Sequence, residues 1–184
     1  MDTKHRPAAS KRRQRGLSLV EAMIVVAVTA IVAATAVPSL ASFIDGRRLD
    51  AAATSLAADL QFVRTESVAR NHAIRLSVHA SGAASCWIVH TGAAAQCACA
   101  DSGAAICSGG ASEIKTVVLG AADRVAVQGN VASILFDPLH GTSTPTGTLR
   151  LVDPSGRAVH HIVNVMGRVR SCTPAGAVPG WRAC

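Results

Sequence analysis

The chain has 184 residues, 49% hydrophobic and only 3% aromatic with no tyrosine, enough for one modest domain plus an anchor, with a core of small side chains. The formal charge is +7, yet residues 1–16 hold six Lys/Arg against Asp2, or +5, and the remainder is only +2. Most of the basicity therefore belongs to a targeting segment, which leaves room for a small nucleic-acid footprint but excludes a domain driven by overall charge.

After the basic leader, residues 17–40 are apolar or small apart from Ser18, Glu21, Thr29, Thr35 and Ser39, and no charge occurs from residue 22 to 44. As a helix the run spans about 36 Å, enough to cross a bilayer. The cations on its N-terminal side put residues 1–16 in the cytoplasm, and everything after about residue 44 outside the inner membrane. Glu21 sits inside the start of the run, where a carboxylate is costly and needs a partner.

Arg15-Gly16-Leu17-Ser18-Leu19-Val20-Glu21 resembles the type III signal of prepilins: a basic leader, a glycine, a hydrophobic residue, and a glutamate four positions later. The resemblance implies that a prepilin peptidase cuts between Gly16 and Leu17 and that Leu17 is N-methylated. It also implies that Glu21 serves assembly. The physical logic is that the new amine and the carboxylate pair between adjacent subunits and offset each other's burial. The expected organisation is a leader at 1–16, a transmembrane helix at 17–44 and a periplasmic domain at 45–184.

Pro38 falls near the end of the apolar run, where a kink is expected. Beyond it Leu49, Ala53, Leu56, Leu60 and Val63 recur every three or four residues, one apolar stripe that predicts an amphipathic helix to about residue 71. Residues 73–78, 86–90, 115–119, 124–127, 131–136, 148–152 and 158–165 read as strands separated by turn-rich pieces. Residues 91–112 are Ala, Gly, Ser and Cys with little pattern, and read as a disulfide-tied loop. The fold class is α+β: a long N-terminal helix packed on an antiparallel β-sheet domain. Cys86, Cys97, Cys99, Cys107, Cys172 and Cys184 all follow the membrane segment, which suits disulfides in an oxidising compartment. The 15 possible connectivities stay open, although a Cys172–Cys184 bridge would close the tail into a loop that holds Trp181 and Arg182 near Arg168 and Arg170. Cys97-Ala-Cys99 lacks zinc-knuckle spacing, and no metal is expected.

No catalytic constellation emerges, so the chain does not read as an enzyme, and no cofactor is expected. His160 and His161 are strand neighbours that point to opposite faces. Asp123, Asp137 and Asp153 lie in or beside turns, where they cap backbone groups. The glycine-rich pieces lack the lysine of a phosphate loop.

The helix-then-strands order resembles that of type IV pilins, and in particular the FimT/GspH minor pilins and pseudopilins. Leu60, Arg64, Glu66, Arg70 and Asn71 resemble the helix end of that group. Residues 136–141, Phe-Asp-Pro-Leu-His-Gly, resemble its F-x-P-x-G segment with one extra residue. Gly167-Arg168-Val169-Arg170 resembles the GRxR motif of FimT, which binds DNA taken up in natural transformation. By that resemblance Gly167, Arg168 and Arg170 contact double-stranded DNA. If the segment is extended, both guanidiniums point the same way and suit phosphates, and Arg150, Arg157 and Arg182 extend the patch. The alternative is a structural minor pilin, or a GspH-like pseudopilin of a type II secretion system. There the arginines are solvated or meet neighbouring subunits, and the partners are other pilins or pseudopilins.

Overall fold

The computed structural model describes residues 18–81, 84–100 and 104–184. Gly16, Leu17 and the leader lie outside the described residues. The chain divides into two units, with the boundary between Ala41 and Ser42.

In the first unit, α1 (Leu19–Ala69) begins behind Ser18, whose hydroxyl accepts the Glu21 amide at 3.2 Å and so caps one of the free N–H groups of the first turn. Leu19, Met23, Val26 and Ile31 are each about two-thirds or more exposed. The hydroxyls in the middle of this run are satisfied locally: Thr29 and Thr35 donate to carbonyls three or four residues back, and Ser39 to Ala36. That leaves the surface free of unpaired hydroxyls, as a lipid environment demands. An 18-residue window here has mean hydropathy 2.3, so this helix is long and apolar enough to cross a membrane. The helix runs through position 38 without a break.

In the second unit, the predicted stripe is fully buried: Leu49, Ala53, Leu56, Leu60 and Val63 are all inaccessible. At roughly 1.5–3 kcal/mol for each large side chain, this stripe is a main source of the domain's stability. The helix ends through a two-bond C-cap. Asn71 takes a left-handed conformation (φ 49°), His72 N–H donates to the Ser67 carbonyl at 3.1 Å, and Asn71 N–H donates to Val68 at 3.2 Å.

Two antiparallel sheets cover the stripe. The five-stranded sheet has the order β5-β2-β1-β7-β8, built from β1 (Ile74–Ser81), β2 (Ala84–His90), β5 (Glu113–Leu119), β7 (Ser133–Phe136) and β8 (Ser143–Thr144). The four-stranded sheet has the order β11-β10-β9-β6, built from β6 (Ala126–Gly129), β9 (Gly147–Val152), β10 (Ala158–Val163) and β11 (Val169–Cys172). Ile74, Leu76, Trp87 and Val89 from the first sheet share one core with Val127, Leu149, Leu151, Val159 and Val163 from the second. Polar links pin the helix to it. Trp87 Nε1 and Lys115 Nζ donate to the two oxygens of buried Asp59, and Arg124 clasps Asp45 with two 2.9 Å hydrogen bonds.

Three readings need correction. Residues 91–112 are not a patternless loop: β3 (Cys97–Cys99) and β4 (Ala105–Cys107) form a hairpin. Cys97–Cys107 closes it, and Cys86–Cys99 fastens it to β2. It covers the outer face of the first sheet, so that Cys86, Ile88 and Cys97 form a second small core. This explains why β2 is buried on both faces. The strand expected at 124–127 starts only at Ala126, because Arg124 adopts a left-handed conformation (φ 54°) after a short 3₁₀ turn. The strand expected at 158–165 stops at Val163, because Asn164 opens a turn.

Candidate functional site

Near the C-terminal end of α1, three segments converge. Arg64 Nε donates to the Gly141 carbonyl at 3.1 Å, which ties the turn at 137–141 to the helix. Gly167 lies against the same carbonyl, has φ 68°, and leaves no room for a Cβ. Only glycine fits both the backbone angle and the contact. Asn164 fixes the second turn: its carbonyl accepts Gly167 N–H and its side chain accepts Arg168 N–H, both at 2.9 Å. Ser143 joins the two turns by donating its amide to Val165 and its hydroxyl to Asn164.

Between these turns and the helix runs an open groove of about 730 Å³, lined by Gln61, Arg64 and Thr65 from α1 and by Ile162, Asn164 and residues 167–170 from the sheet. None of these residues is a carboxylate. Arg168 and Arg170 are exposed, whereas Val169 between them packs on the core. Arg64, not among the arginines expected in the patch, is the third cation of the groove; its motif resemblance was the available signal, but its position depends on which turns meet the helix.

The other expected arginines do not join this group. Arg150 shares the outer sheet face by alternation, but it stands across β10 and donates to Gln128 at 2.9 Å. Arg157 is spent on Asp153 (2.7 Å) and on the Ser42 carbonyl (3.1 Å), beside Gly46. Gly46 lies about 27 Å along the helix from Arg64. Arg182 follows Trp181, whose Nε1 donates to Asp50, also far down the helix. The tail is held there by the Cys172–Cys184 disulfide, and Trp181 meets His161 edge-on at 5.9 Å. Arg157 therefore leaves the patch, drawn to Asp153 and the helix at Ser42, whereas Arg182 stays outside the groove but beside the end of β11, its carbonyl accepting the Thr173 amide at 2.8 Å.

His161 is the most perturbed titratable group outside the groove. Burial pushes its pKa down to about 4, the charge of His160 adds to the effect, and the Ala53 carbonyl opposes it. Among the described residues no group of three or more His, Cys, Asp or Glu side chains converges to hold a metal.

Residues 52–167, well over half of the chain, match the family model described as type II transport protein GspH. The chain belongs to the GspH family. This GspH-family chain also carries the prokaryotic N-terminal methylation motif at residues 11–37. It is thus a type IV pilin-like minor pilin or pseudopilin. It is 42% identical over 66 residues to type II secretion system protein H of Xanthomonas campestris pv. campestris, an alignment covering 35% of this chain and 39% of the relative. The match thus spans about two fifths of that relative's length. Among solved structures it is similar to the type IV minor pilin FimU of Pseudomonas aeruginosa (20% identity, TM-score 0.48, 72% of this chain and 97% of the other). It is similar also to the minor pseudopilin EpsH of the type 2 secretion system of Vibrio cholerae (10% identity, TM-score 0.46, 70% and 98%).

Proposed function

We propose that this protein is a minor subunit of a type II secretion pseudopilus or a type IV pilus, with the family match over residues 52–167 favouring the secretion filament. The precursor sits in the inner membrane with residues 1–16 in the cytoplasm and residues 45–184 in the periplasm. Prepilin peptidase cuts between Gly16 and Leu17 and methylates Leu17. Residues 17–44 remain in the bilayer until assembly, when Glu21 pairs with the amine of a neighbouring Leu17. The methylation motif at residues 11–37, placed directly across this apolar helix, supports the processing step. Gly16→Ala is expected to leave the precursor uncut, seen as a single band of precursor size on a denaturing gel. A band of mature size in that variant would overturn the assignment.

A second reading is supported by the groove, where three guanidiniums gather with no carboxylate among the lining residues. In this reading, taken from the resemblance to FimT, Arg168 and Arg170 hold the phosphates of double-stranded DNA without reading its sequence. The test is a gel-shift titration of the mature chain in detergent across several salt concentrations. Arg168→Ala/Arg170→Ala is expected to weaken binding and to flatten the log–log salt slope by about 1.8. Equal binding by wild type and the double variant would leave the filament role alone.

A further inference from the structure

The two turns beside the groove carry a feature that neither reading uses. Leu139, at the head of one turn, is 75% exposed; Val165 and Met166, at the head of the other, are 57% and 58% exposed. Val68 at the helix end, in contact range of a Cβ at Gly141, is 51% exposed. Turn heads in a free domain ordinarily carry polar residues, and clustered apolar exposure marks interaction surfaces.

These turns are also rigid by construction. Asp137 Oδ1 accepts the amides of Leu139 and His140 at 3.0 and 2.9 Å, and Gly141 N–H returns to the Asp137 carbonyl. Asn164 and Ser143 lock the second turn, and Gly141 abuts Gly167. Apolar side chains displayed on fixed backbone bind with little loss of conformational freedom.

We propose that these paired turns, at residues 137–141 and 164–167, form a docking ridge for the globular domain of a different pilin-like subunit, one with an apolar surface bordered by carboxylates. The proposal rests on the filament reading. Charge selects the occupant. The ridge is flanked by His140, Arg64, Arg168 and Arg170. Its one carboxylate, Asp137, is already engaged by two amides and lies 3.2 Å from His140 Nδ1. A second copy would set like charge against like, since residues 17–184 are themselves net positive by +2. An apolar centre bordered by arginine is the composition of a specific protein interface, and methionine and arginine are enriched there.

The test uses the full-length chain in its own bacterium, with the photocrosslinker p-benzoylphenylalanine replacing Met166, Val28 of the apolar helix, or Ile106 of the hairpin, one at a time. Position 166 is expected to yield an adduct with one other pilin-like protein, identified by mass spectrometry. Adding Arg168→Glu is expected to reduce that adduct on the order of tenfold, the effect of one reversed charge contact. Adducts at position 28 but none at 166 would overturn the ridge and leave the filament role standing. No adduct at any position would overturn both. Capture at 166 of lipid, of the chain's own copies, or of the same proteins as at 106 in equal yield would overturn the ridge.

Discussion

In β10, His161 is fully buried facing Ala53 of α1, with Nδ1 2.8 Å from the Ser171 hydroxyl. Its pKa of about 4 lies below the ordinary value of 6.5, so between those two pH values the unfolded chain binds the proton and the folded chain does not. Stability is therefore complete above about pH 6.5 and falls as the pH drops toward 4, by on the order of 3 kcal/mol. The melting temperature of the mature chain in detergent is expected to fall over this window. His161→Phe is expected to flatten the fall; an unchanged profile in that variant would assign the loss to other groups. His90 is shifted the same way by burial, so it adds to the loss of stability as the pH falls below the ordinary histidine value. Gly167 gives a second test at this scale. Gly167→Ala puts a Cβ against the Gly141 carbonyl at positive φ, whereas Gly156→Ala has positive φ and nothing within 4 Å. The former is expected to cost about 2 kcal/mol or more in thermal unfolding and the latter about 1 kcal/mol. Equal costs would mean that the Gly141–Gly167 contact is unimportant.

Among the elements, the helix was the most legible. Its stripe from Leu49 to Val63 repeats at the helical period, and a buried face imposes that period directly on the sequence. The strands around Trp87 and Val159 showed only as short runs of strand-forming residues, whereas those around Leu76 and Leu149 were legible through alternation. The hairpin of β3 and β4 was not, because covalent bridges order it and Ala, Gly and Ser leave no periodic trace there. Nor was the division of the arginines. Arg168, just ahead of β11, and Arg170 within it are exposed on either side of inward-facing Val169, which the spacing of two encodes, but Arg157 is drawn away by Asp153 and the helix, a contact that reaches a distant segment. Burial raises the pKa of Asp153 and hydrogen bonds from Ser155 and Arg157 more than offset this, leaving it below the usual carboxylate range. The tail is a separate element with its own bridge, 12 residues apart in sequence. Cys172→Ser/Cys184→Ser is expected to lower stability by about 2–4 kcal/mol and to raise the exposure of Trp181. Denaturant unfolding followed by tryptophan fluorescence measures both; an unchanged midpoint would mean that the non-covalent contacts of the tail, such as Trp181–Asp50 and Arg182–Thr173, suffice to hold it.

At the scale of the whole molecule, the three disulfides are distributed unevenly. Two join the hairpin to itself and to β2, and the third ties β11 to the tail. None reaches α1, which contains no cysteine, and none crosses from one sheet to the other. Apart from the backbone that leads from its C-terminal end into β1, the helix is held to its domain by the apolar stripe and a few polar clasps, among them Asp45–Arg124, Asp50–Trp181 and Asp59 with its two donors. In the proposed filament role, a subunit drawn out of a bilayer would be pulled by this helix. Tension applied at its N-terminal end is carried by side-chain packing in shear, because no disulfide anchors the helix. The mechanical weak point is then the seam between helix and sheets. Overload first parts the helix from the sheets it packs on, while the chain running from α1 into β1 still joins them.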